Sequence, residues 1–218
     1  MVGDGMKALH KDFWMEIRKS KARFISIFLI VALGVAFFSG IQASSPDMRY
    51  SGDAYYEAAK LMDLKIQGTL GLTQRDVKAV SDIDGVELAE GGYSTDVMSG
   101  EDDARKVLHL ESISSNFNLL TADEGRIPEK SGEIFLDKPF AKNRGYKIGD
   151  TISVSEDGDS ELLKKTTYTV VGIGSSPLYI SFNRGNTTLG SGEVSGFGYI
   201  LPEDFAQEAF YPDLYYGS

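Results

Sequence analysis

The chain has 218 residues and no cysteine, with 22 Lys and Arg against 32 Asp and Glu, a net charge of −10. The missing thiols exclude a disulfide framework and a thiolate metal site, and the acidic balance leaves no basic stripe to neutralise phosphates, which excludes nucleic acid as a partner. A hydrophobic fraction of 42% with 12 Phe and 11 Tyr supports a packed core, which excludes a disordered chain.

Residues 6 to 23 read as an amphipathic helix. Met6, Leu9, Phe13 and Ile17 recur at helical spacing with Trp14 beside them, while Lys11, Asp12, Glu16, Arg18 and Lys19 face away. Such a helix suits the membrane interface. Two readings stay open: a leader that only rests on lipid, or a docking helix for a cytoplasmic partner. In the second, Phe13, Trp14 and Ile17 are the apolar anchors, and Arg18 and Lys19 meet acidic groups.

Phe24 to Ile41 follows without one charged residue, and the uncharged gap extends from Arg23 to Asp47. Eighteen helical residues rise about 27 Å, close to the hydrocarbon thickness of about 30 Å. A buried core helix would carry a polar stripe. A cleaved signal peptide would have an apolar region of only about 7–15 residues, and Ile41-Gln42-Ala43 before Ser44 is a poor cleavage site. The run is therefore expected to stay as a membrane anchor. Six basic residues against three acidic precede Phe24, net +3; the remainder carries 16 against 29, net −13. That asymmetry predicts a cytoplasmic N-terminus and an extracytoplasmic remainder. Ala32, Ala36 and Gly40 share one face at four-residue spacing, which lets a neighbouring helix approach closely.

After the span, Ser44-Ser45-Pro46-Asp47 predicts a break or a new helix start, with Ser45 as cap and Pro46 first. A helix is predicted from Asp53 to Met62, a strand over 63–67 and a turn over 68–72. Thr73 to Asp76 is a capping-box variant opening a helix that ends near Asp84-Gly85. Strands follow at 86–88, 93–98 and 106–111, then an irregular stretch over 116–128. The next elements are a strand at 133–136, a short helix at 139–143, and strands at 151–155 and 167–173 flanking an acidic loop. Residues 174–198 read as a mobile, Gly-rich contact loop. A strand at 198–201, a helix start at 202–205 and an element beginning near Tyr215 complete the chain. This order predicts an α+β domain.

Reactive constellations are missing. No phosphate-binding P-loop occurs, and Gly172-Ile-Gly174-Ser-Ser-Pro177 puts Pro where a dinucleotide loop needs glycine. His10 and His109 are placed on opposite sides of the membrane, so they share no site, and His109 reads as a packed or surface residue. Asp157, Asp159 and Glu161 lack the spacing of a calcium loop and read as a solvated turn. No enzyme activity, cofactor or metal is expected.

The run Lys11-Asp-Phe-Trp-Met-Glu-Ile-Arg-Lys-Ser-Lys-Ala-Arg-Phe24, leading into Ile-Val-Ala-Leu-Gly-Val-Ala-Phe-Phe-Ser-Gly40, resembles the opening of FtsX/MacB-type ABC transporter permeases. Met62-Asp-Leu-Lys65 before Gly71-Leu-Thr73, Gly145-Tyr-Lys-Ile-Gly-Asp150 and Tyr168-Thr-Val-Val-Gly-Ile173 fit the same family in the same order. The resemblance implies one transmembrane helix followed by a mixed α/β extracytoplasmic domain of two small subdomains. Residues 1–23 would be the cytoplasmic leader, 24–43 the span and 44–218 the core domain. It further implies a cytoplasmic ATP-binding subunit as partner, motion passed across the membrane, and further permease helices or a second permease copy. The family carries three more membrane helices, so a chain truncated after residue 218 is expected. It also favours docking over adsorption for residues 11–19. The alternative is a membrane-tethered extracellular binding or sensor domain with no ATPase.

Overall fold

The computed structural model describes residues 3–100, 105–156, 162–181, 183–206 and 211–217, with the side chains of 3–10, 45, 69, 70 and 211–213 left aside. The expected roles of the Met6 and Leu9 side chains, and the acidic turn with Asp157, Asp159 and Glu161, lie outside what is described. Two compact units divide the chain, Met1–Ala54 and Tyr55–Ser218.

The first unit is helical. Helix α1 (Gly3–Lys19) is followed at once by α2 (Lys21–Ala58). Ser20 interrupts them only nominally, since its N–H donates to the Glu16 carbonyl at 3.0 Å and its own carbonyl accepts from Phe24 N–H at 3.0 Å. The apolar window of α2 is wholly unburied, with Phe37 74% and Leu33 68% exposed. A core helix of a water-soluble domain would bury that surface, so that reading falls, and the surface fits lipid. Ser26, inside the apolar run, donates its hydroxyl to the Ala22 carbonyl at 2.9 Å, which satisfies a polar group that a lipid solvent would penalise there.

The predicted break at Ser44–Asp47 does not occur. Pro46 lies inside α2, which runs on to Ala58. Proline removes one ladder bond, to the carbonyl of Gln42, and a helix interior bears this at a cost of about 3 kcal/mol.

In the second unit, three strands form one small sheet in the order β1 (Leu64–Leu72), β10 (Tyr211–Gly217), β2 (Leu88–Gly92), all antiparallel. The turn expected over 68–72 is strand instead, and β1 shifts register between Gln67 and Leu72. Helix α3 (Gln74–Ser81) follows the predicted cap: Thr73 N–H and its hydroxyl both donate to the Asp76 carboxylate, at 2.7 and 2.8 Å.

Seven strands form the larger sheet: β3 (Ser94–Ser99), β4 (Lys106–Ser112), β5 (Thr121–Gly125), β6 (Glu133–Asp137), β7 (Thr151–Ser155), β8 (Thr167–Ser175) and β9 (Val194–Ile200), in the order β5-β8-β6-β9-β4-β3-β7. Strand β7 also pairs with β8 over Thr167–Thr169, while β5 takes the same edge of β8 from Gly172 to Ser175. The ladder β8-β6-β9-β4-β3-β7 therefore closes on itself. Alternation fills the ring with Val97, Leu108, Leu110, Ile134, Leu136, Ile152, Val170 and Ile200, all buried. Helix α4 (Lys138–Arg144) adds Phe140 and Ala141 to that core. Gly196 leaves the room: a Cβ there would lie 2.5 Å from Phe140 Cβ.

Strand β5 falls in the stretch expected to be irregular. Its five residues are all exposed, so nothing in Thr-Ala-Asp-Glu-Gly alternates and no period-2 signal exists to read. The helix start expected at 202–205 is a single 3-10 turn, Pro202–Asp204.

Candidate functional site

On α1, Phe13 and Trp14 are 60% and 65% exposed and Ile17 is half-buried. Phe13 and Ile17, one helical turn apart, come together with Phe24 and Ile27 around a shallow apolar notch of about 210 Å³; Trp14 lies outside that lining. Arg18 and Lys19 stand exposed in the last turn of α1. Ala32, Ala36 and Gly40 fall on one face of α2, and nothing approaches within 4 Å of a Cβ built on Gly40. The face is open to a neighbouring helix.

The last turn of α2 is fastened within the second unit. Lys60 sits at φ 47°, and Leu61 N–H donates to the Tyr56 carbonyl at 3.0 Å and Lys60 N–H to the Glu57 carbonyl at 3.1 Å. This is a Schellman ending with lysine in place of the usual glycine. The loop 113–120 then grips it. Asn118 and Leu119 donate their N–H groups to the carbonyls of Lys60 and Ala59, at 2.9 and 2.8 Å. Asn118 Oδ1 accepts from Met62 N–H at 3.1 Å. Asn118 is buried and itself has φ 52°. A cleft of about 500 Å³ opens beside this joint, lined by Tyr56, Glu57, Lys60, Leu88 and Phe117 among others.

Outside the closed ring, the alternate face of β4 carries His109 and Glu111. His109 Nδ1 lies 2.6 Å from Asp96 Oδ1, its register partner on β3, and Nε2 lies 3.5 Å from Glu111 Oε1. Lys65 Nζ, from β1 of the small sheet, is 3.6 Å from the same Glu111 oxygen. Tyr179 donates its hydroxyl to that oxygen at 3.1 Å. Burial works against a charged ring, but the bonds to Asp96 and Glu111 outweigh it and raise the His109 pKa to about 9. Burial likewise opposes the Glu111 carboxylate, and His109 and Lys65 hold it down to about 2. With a carboxylate at each nitrogen the ring is a double donor, so it has no free lone pair with which to act as a base.

Sequence reasoning placed His109 as an isolated residue and missed this cluster. The signal was there in His109-x-Glu111, two polar residues on one face of a strand whose other face is Leu108 and Leu110. It also missed the buried pair Asp137–Arg184, whose guanidinium Nη2 and Nε donate to the carboxylate at 3.0 and 3.2 Å.

An unburied apolar helix followed by a mixed-sheet domain is the architecture of a membrane-anchored domain. Residues 24–213 match the MacB-like periplasmic core domain family, and the chain belongs to it, in agreement with the resemblance to FtsX/MacB-type ABC transporter permeases. Among solved structures, the extracellular domain of the ABC-type transporter YknZ from Gram-positive bacteria is similar with a TM-score of 0.44 and 12% identity, over 69% of this chain and 75% of that one. The periplasmic region of MacB from Actinobacillus actinomycetemcomitans is similar with a TM-score of 0.42 and 13% identity, over 69% of this chain and 65% of that one. No curated protein sequence matches the chain significantly.

Proposed function

We propose that this chain is the anchored outer part of an ABC permease that receives work from a cytoplasmic ATP-binding subunit and delivers it as movement of the extracytoplasmic domain. The observation that carries the reading is the family match over residues 24–213, which begins at the first residue of the apolar run. Residues 1–23 lie in the cytoplasm, 24–43 cross the membrane and 44–218 lie outside, an orientation supported by the +3 leader against the −13 remainder. The notch with Phe13 and Ile17, the adjoining Trp14, and Arg18 and Lys19 dock on the ATP-binding subunit. Ala32, Ala36 and Gly40 take a neighbouring permease helix or that of a second permease copy. Helix α2 passes on displacement because it is one element from Lys21 to Ala58.

The test is co-purification in detergent of the ATP-binding subunit with the intact protein. Phe13→Ala with Trp14→Ala is expected to abolish it without affecting membrane insertion, since aromatic anchors commonly cost about 2 kcal/mol or more on truncation. Gly40→Leu is expected to spare that contact and disrupt permease assembly. Retention of the ATPase by the double variant reduces the leader to a lipid-adsorbed helix. If the unsubstituted protein retains none, a tethered binding domain is the better reading.

A further inference from the structure

Residues 185–193 form a small hairpin. Asn186 and Glu193 bridge, Thr187 N–H donates to the Gly192 carbonyl at 3.1 Å, and Val194 N–H donates to the Gly185 carbonyl at 3.1 Å. Its base is fixed. Arg184 is paired with buried Asp137, donates at 2.6 Å to the Tyr179 carbonyl and also to that of Ser181, and lies 5.5 Å over the Phe197 ring. Tyr179 stacks on that ring at 4.5 Å.

The rest of the hairpin partly covers the charged face of the ring, where His109 and Asp96 stay half-buried. Thr187 bonds Asp96 through its side chain, and a Cβ on Gly190 would meet Met98 and Val107 at 3.3 Å. Gly190 and Gly192 have φ of +52° and +82°, so this end turns on residues with little steric resistance. Beneath it the charges balance: Lys65 and His109 against Asp96 and Glu111. The uncharged polar groups facing them are Tyr179, Thr187, and Tyr199, which is bonded to Ser176 at 2.8 Å.

We infer that hairpin 185–193 is a gate over the outer face of the ring, hinged at the Arg184–Asp137 pair and held shut through Asp96 by the charge on His109. Removing that charge leaves Asp96 and Glu111 facing Lys65 alone, a net −1 under cover. A buried charge without its partner costs far more than a hydrated one. Asp96 is 26% exposed with the hairpin in place, and its full hydration requires the hairpin above it to leave. The gate is closed at neutral and lower pH and opens as pH rises toward 9 and beyond, because the ring nitrogens then lose their proton while both carboxylates stay ionised. This does not depend on the partner proposed above.

The chain has no cysteine, so spin labels can be placed uniquely at Thr188→Cys on the hairpin and Lys106→Cys on β4, both exposed. Electron–electron distance measurements on the full chain at pH 7 are expected to give one short distance. His109→Gln in that background is expected to raise a longer-distance population about tenfold or more, the order expected when a covered ion pair is broken. Adding Asp96→Asn, which removes the unbalanced carboxylate, is expected to restore the short distance. A distribution unchanged by His109→Gln, or changed but not restored by Asp96→Asn, overturns the gate. Should the variant fail to fold, the labelled protein with native His109 decides the matter: unchanged distances between pH 7 and pH 10 overturn it equally.

Discussion

Gly174 and Gly196 show what a single residue contributes by having no side chain. Neither needs an unusual φ; both sit in strands where a Cβ has nowhere to go, 2.0 Å from the Thr121 carbonyl oxygen at Gly174 and 2.5 Å from Phe140 Cβ at Gly196. In the sequence, Gly196 belongs to a cluster of glycines that reads as loop freedom, whereas the structure uses it to bring α4 against β9. The same composition served two purposes, and only the contact tells them apart. Gly196→Ala is expected to push α4 outward and destabilise the domain by about 1–3 kcal/mol, the usual cost of overpacking. A urea midpoint shifted down with unchanged slope would show this; an unchanged midpoint would mean that α4 yields freely. His109 gives the companion lesson. Its type and neighbours were legible, and its partner Asp96 was not, because register is set by pairing that no local pattern encodes.

At the scale of elements, the long periodic segments were readable and the ends were not. The apolar helix, α3 with its cap, β4, β7 and β8 follow from period and capping chemistry. Helix α2 overran its predicted stop because Pro46, usually a breaker, is outweighed by the turns on either side, and β5 was invisible because an exposed edge strand has no buried face to alternate. Strand β10 was only glimpsed at Tyr215, yet it is the central strand of the small sheet. The joint at the end of α2 is the element-level feature with mechanical meaning. Asn118 supplies both an acceptor for Met62 N–H and a backbone at φ 52°, a region asparagine tolerates better than most residues. Asn118→Ala loses both and is expected to cost about 1–3 kcal/mol, since the half-buried Met62 N–H is left unpaired. The loss should be local: amide exchange at Met62, Asn118 and Leu119 is expected to quicken while the ring strands keep their protection. Uniform loss across the ring would instead make Asn118 a residue of the global core.

For the whole molecule, closure of the ring was not legible, because β7, besides its sequence neighbour β8, must find β3 across about fifty residues of chain. What the closed ring leaves outside is a charged face, and across it the two sheets are tied by Lys65 of β1 and Glu111 of β4. The His109–Glu111 cluster around that tie makes global stability depend on pH in a defined direction. His109 has its pKa raised from 6.5 to about 9 in the folded protein, so its contribution is complete below about 6.5 and is lost as pH rises through 9. Glu111 has its pKa lowered from 4.5 to about 2, so its contribution is present above about 4.5 and is lost as pH falls through 2. The plateau therefore lies between about 4.5 and 6.5. The alkaline loss is on the order of 3 kcal/mol at most, and the two shifts describe one shared interaction and are not added. Chemical denaturation of the full chain at pH 5.5, 7.5 and 9.5 is expected to show stability falling across the series. His109→Gln removes the proton that titrates, so its stability should start lower and stay nearly flat over the same range. An equal slope in the variant would assign the alkaline loss to other groups, and His109 with Asp96 and Glu111 would then carry no net share of it.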